Sequence, residues 1–76
     1  MKKNGVERTY DPNGQLESKT NWKDGELDGL YKDWYEDGQL ESESNYKDGK
    51  RDGLCKSWYE GGELRYECNY KNGKLI

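Results

Sequence analysis

The phrase WYEDGQLES, from Trp34 to Ser42, stands 24 residues after YDPNGQLES, which begins at Tyr10, and 24 residues before WYEGGELRY, which begins at Trp58. Other columns keep the same period. Gly5, Gly29 and Gly53 share a phase, as do Gly25, Gly49 and Gly73, Leu16, Leu40 and Leu64, and Asn21, Asn45 and Asn69. A fixed period over nearly the whole chain means stacked copies of one supersecondary unit, none of which buries its apolar face alone. The copies run over residues 5–28, 29–52 and 53–76, within one domain spanning 1–76.

Each copy carries two turn signals. The first is Pro12-Asn13-Gly14, Glu36-Asp37-Gly38 or Glu60-Gly61-Gly62; the second is Lys23-Asp24-Gly25, Lys47-Asp48-Gly49 or Lys71-Asn72-Gly73. Such sequences suit a type I turn closed by a left-handed glycine. Pro12 falls where that turn wants φ near −65°, whereas inside a strand it would break the ladder. Each copy therefore reads as an antiparallel hairpin. The fold class is all-β: a single-layer antiparallel meander of about six strands, built from three 24-residue hairpin repeats. With 38% charged and 29% hydrophobic residues the chain sits near the composition of disordered segments. Three Trp and seven Tyr supply the area that a thin core needs.

The turns predict a register. With Tyr35 opposite Gln39, Trp34 faces Leu40, Lys32 faces Ser42 and Leu30 faces Ser44; with Tyr46 opposite Lys50, the phase carries on into the next copy. Strict alternation then gives one apolar face of Val6, Tyr10, Leu16, Trp22, Leu30, Trp34, Leu40, Tyr46, Leu54, Trp58, Leu64, Tyr66 and Tyr70. The wet face holds Tyr31, Asp33, Tyr35, Gln39, Glu41, Glu43 and Asn45. In this register Cys55 and Cys68 lie on opposite faces, which predicts free thiols and a reducing compartment.

The phrases GLYKDWYEDGQLESESNYKDGKRD and GLCKSWYEGGELRYECNYKNGKLI resemble the MORN repeat, in its bacterial MORN-variant type. The W-Y-x-x-G-x-L core, the N-Y-K-x-G close and the glycine that restarts each copy carry the resemblance over about the full chain. Two residues after that glycine the family favours Trp or Tyr; here stand Glu7, Tyr31 and Cys55. The resemblance implies an elongated single-sheet meander. Among bacterial members it extends to YwqK-like antitoxins, which bind and silence a partner toxin; eukaryotic members are linked to membrane attachment and scaffolding.

The residues point away from catalysis. Histidine is absent, so the usual base near neutral pH is missing. No catalytic residue, metal ligand set or cofactor is expected. Glu41 and Glu43 read as one solvated strand face, and Cys55 beside Lys56 has no His to activate it. The net charge of −3 argues against direct nucleic-acid or anionic-membrane binding. The N-terminus has no apolar stretch after its lysines, so the expected location is cytoplasmic. The expected function is a non-enzymatic protein-binding module that inhibits a partner, as an antitoxin or as a phage-encoded inhibitor of a defence nuclease. The expected surface comprises Tyr31, Asp33, Tyr35, Glu41, Glu43 and Tyr59, whose rings and carboxylates suit a toxin or nuclease with a basic surface. The alternative is a self-assembling or scaffolding unit, a homo-oligomer joined through its edge strands.

Overall fold

A computed structural model describes residues 2–76. The strands are β1 (Gly5–Tyr10), β2 (Leu16–Lys23), β3 (Glu26–Leu27), β4 (Gly29–Trp34), β5 (Leu40–Lys47), β6 (Lys50–Trp58), β7 (Leu64–Lys71) and β8 (Lys74–Leu75). They form one antiparallel sheet ordered β1-β2-β4-β5-β6-β7-β8, with β3 beside the far end of β2. The longer strands make the expected meander. β3 leads into β4 across Asp28, and β6 covers the equivalent stretch without a break. The sheet measures 33 × 33 × 10 Å, which is a single layer. Among the described residues only Thr20, Cys55 and Ser57 are buried.

The two turns of each copy differ. At the tips, Gly38 N–H donates to Tyr35 C=O (2.9 Å) and Tyr35 N–H to Gln39 C=O (2.8 Å), and the other two tips repeat this pattern. Pro12 sits inside such a turn, as its fixed φ requires. At the opposite end Asp24 (φ 50°) and Gly25 (φ 82°) both lie in the left-handed region, as do Asp48-Gly49 and Asn72-Gly73. That makes a two-residue type I′ hairpin, whose twist matches the strands, instead of the expected type I turn. Lys47 consequently pairs with Lys50, and Tyr46 stands opposite Arg51 rather than Lys50.

The predicted register holds at the tips and fails beyond them. Trp34 pairs with Leu40, as do Tyr10 with Leu16 and Trp58 with Leu64. A bulge between Asp33 and Trp34 then shifts the ladder, so that Asp33 pairs with Ser42, Lys32 with Glu43, Tyr31 with Ser44 and Leu30 with Asn45. An extra residue in one strand reverses the facing of everything past it. Tyr31 and Asp33 therefore share a face with Ser42, Ser44 and Tyr46. Leu30 and Lys32 join Glu41, Glu43 and Asn45 on the other. Val6 and Leu54 move in the same way, and both are exposed.

The same bulge between Ser57 and Trp58 makes Cys55 and Cys68 direct cross-strand partners, with Cα atoms 5.0 Å apart and the sulfurs joined in a disulfide. The expectation of free thiols is overturned, and the inference from them to a reducing compartment goes with it.

A second irregularity explains the Asn column. Between Ser44–Cys55 and Tyr46–Arg51, β6 contains two more residues than β5. Gly53 sits in this bulge at φ +105°, and a Cβ there would lie 3.3 Å from Asn45 Cβ. The Asn45 Nδ2 amide donates to Leu54 C=O at 3.0 Å. Asn21 donates in the same way to Leu30 C=O at 2.7 Å, packed against Gly29. The side-chain amide supplies a donor that the interrupted ladder cannot.

Candidate functional site

The aromatic face carries rows that run across the strands. One row interleaves Trp22, Tyr46 and Tyr70 with basic or apolar side chains. Lys3 Nζ lies 5.0 Å from the Trp22 ring centre, and the Arg51 guanidinium 5.2 Å from that of Tyr70. These contacts spread cationic side chains over the rings and shield them from water. Toward the tips follow smaller side chains: Thr9 and Ser18 share a hydrogen bond, and Ser42 donates to Asp33 Oδ1, each at 2.5 Å.

Tyr31 belongs to this face. Its hydroxyl donates to Asp33 Oδ2 at 3.3 Å. Burial, with the Asp33 charge and that hydrogen bond, pushes its phenol above the ordinary Tyr range. A raised folded-state value keeps this contribution to stability complete below pH of about 10, and removes it as pH rises through the folded value. Tyr31→Phe should therefore flatten the alkaline fall in stability. Urea midpoints followed from pH 8 to pH 11 test this, and an unchanged slope would count against it.

The opposite face carries a charged row, Arg8, Lys19, Lys32, Glu43, Lys56 and Glu67, each next to its neighbour across the sheet. Lys32 reaches Glu43 at 3.5 Å, and Lys56 reaches Glu67 at 3.6 Å. These pairs are half open to water and are worth under about 1 kcal/mol each. Glu43 is thus engaged in the row.

At the hairpin tips a groove of about 750 Å³ is lined by Asp11, Pro12, Glu17, Trp34, Tyr35, Glu36, Asp37, Glu41 and Glu60. Tyr35 is held in place by its hydroxyl, which donates to Trp58 C=O at 2.6 Å. Desolvation, with the negative charge of Glu41 and then Glu60, raises its phenol above the ordinary range. Six carboxylates line the groove, yet among the described residues no three His, Cys, Asp or Glu side chains converge closely enough to hold a metal ion. It is a charged surface, not a chelating cage.

Of the six residues singled out in the sequence, Tyr35 and Glu41 line the groove together. Tyr31 and Asp33 lie on the aromatic face, and Glu43 lies in the charged row. Tyr59 is 53% exposed at the third tip. The sequence reading missed Asp11, Glu17, Glu36, Asp37 and Glu60. Their signal is the acid at matching positions of neighbouring copies, Glu17 with Glu41 and Glu36 with Glu60.

The profile of the MORN repeat variant family matches residues 3–24, 27–48 and 51–72. No curated protein and no solved structure matches the chain. Three matched repeats over most of the sequence place the chain in the MORN repeat variant family. That family consists of binding and structural repeats and is generally non-enzymatic.

Proposed function

We propose that this chain is a non-enzymatic inhibitor that sets its acidic tip groove on a basic surface of another protein and blocks it. The observation that supports this reading is the grouping of six carboxylates with Trp34 and Tyr35 in one groove. Rigid rings supply contact area with little entropy to lose. Carboxylates steer a basic partner in and repel acidic ones. A toxin or nuclease that grips nucleic acid through Lys and Arg presents such a surface, so the antitoxin and the phage-encoded inhibitor are two forms of one chemistry. The same groove disfavours nucleic acid and anionic lipid as direct ligands.

Affinity capture from the source cells, followed by mass spectrometry, tests the reading with Glu41→Lys/Glu60→Lys as the comparison. The wild-type chain should retain a basic protein through moderate salt. The double variant should bind it at least about tenfold more weakly, a difference of about 1.4 kcal/mol. No basic protein retained by the wild type, or equal capture by the variant, rejects the reading.

A further inference from the structure

The contacts that join one repeat to the next are visible at the β5–β6 junction. Tyr35 hydroxyl donates to Trp58 C=O, Asn45 amide donates to Leu54 C=O, Asn45 Cβ packs on Gly53, and Glu43 stands opposite Lys56. One period further on, the donors of this set recur on β7 and its tip as Tyr59, Asn69 and Glu67. Two periods back, the acceptors recur on β1 as Tyr10 C=O, Val6 C=O, Gly5 and Arg8. Both strands lie at edges of the sheet, β1 along its whole length and β7 beyond the short cover of β8. Among the described residues, Tyr59 hydroxyl and Asn69 Nδ2 make no hydrogen bond. Gly5 keeps φ +97° with nothing within 4 Å of where its Cβ would be. Gly53 adopts nearly the same φ, +105°, and there a neighbour's Asn packs against it.

We infer that the chain stacks head to tail, with β1 of one copy adding to β7 of a second in the register of the β5–β6 junction. Arg8 then stands opposite Glu67, Asn69 amide meets Val6 C=O over Gly5, and Tyr59 hydroxyl meets Tyr10 C=O. The incoming Lys2–Asn4 is held to its own copy, where Lys3 C=O accepts Gly25 N–H at 2.8 Å and Asn4 Oδ1 accepts Asp24 N–H at 2.9 Å. It enters the row that Lys74–Ile76 fills, so the two-residue β8, whose Leu75 is 65% exposed, gives way. The contact is heterologous and leaves a free edge at each end, so assembly is open-ended. This inference rests on the repeat register and not on the tip groove.

Sedimentation of the 76-residue chain over a concentration series tests it. The wild type should grow with concentration without stopping at a dimer. Arg8→Glu alone places Glu against Glu67, and Glu67→Arg alone places Arg against Arg8, so each should associate about tenfold more weakly. Mixed in equal amounts the two variants should recover wild-type growth, because each edge then meets its opposite charge on the other variant. Circular dichroism melts confirm that both fold. A wild type that stays monomeric to about 1 mM, growth that ends at a dimer, or single reversals that associate like the wild type, would overturn the inference.

Discussion

Gly53→Ala should lower stability by about 2 kcal/mol, enough to move the melting temperature of a chain this size down by roughly 10 °C. Two costs add. Gly53 holds φ +105°, a region that L side chains rarely adopt. The new Cβ would also stand 3.3 Å from Asn45 Cβ, in the bulge where that residue's amide holds Leu54 C=O. Gly61→Ala is the control. Gly61 has no positive φ and nothing near its missing Cβ, so its effect should stay within about 0.5 kcal/mol. Asn45→Ala should fall between, at about 1 kcal/mol, because it removes one hydrogen bond and leaves Leu54 C=O to water. Thermal melts of the three variants side by side decide it. If Gly53→Ala and Gly61→Ala melt together, the restart glycine has no special conformational role.

Reduction of the Cys55–Cys68 disulfide should cost about 3 kcal/mol, the chain-entropy value for a loop of this size. The two cysteines are 13 residues apart in sequence. The loss weighs heavily here because a single layer buries little: Cys55 is the one buried hydrophobic residue among those described. The melting temperature should therefore drop by more than about 10 °C in reductant, and Cys55→Ser/Cys68→Ser should show the lowered value with or without reductant. Thiol titration of the untreated folded chain should find no reactive sulfhydryl. Equal melting temperatures in the oxidised and reduced states would remove the disulfide from the account of stability.

Only part of the tip groove was legible in the sequence. Tyr35 and Glu41 were read as exposed contact residues, and both line it. Glu36, Asp37 and Glu60 fall in the turn signals, at positions where another copy carries Pro12 or Gly61 and the backbone tolerates replacement. Tolerance by the backbone says nothing about charge, and three tips brought side by side add their carboxylates in space. Tyr31 and Asp33 were misplaced for a different reason. Their facing depended on a bulge one residue below Trp34, and no residue type marks that bulge.

By itself, the sequence determined the period, the hairpin tips, the pairing of Trp34 with Leu40 and the single-layer meander. Glycine, proline and Asx residues act on their own backbone, and their effect is local. Only the tertiary structure decided which side chains share a face. Alternation carries phase along a strand, but a bulge breaks that phase and is chosen by the partner strand. Lys32 with Glu43, Lys56 with Glu67 and Cys55 with Cys68 meet only in the shifted register, where opposite charges attract and the two sulfurs join. Those pairings lie across the sheet, so they follow from the assembled strands and not from any one of them.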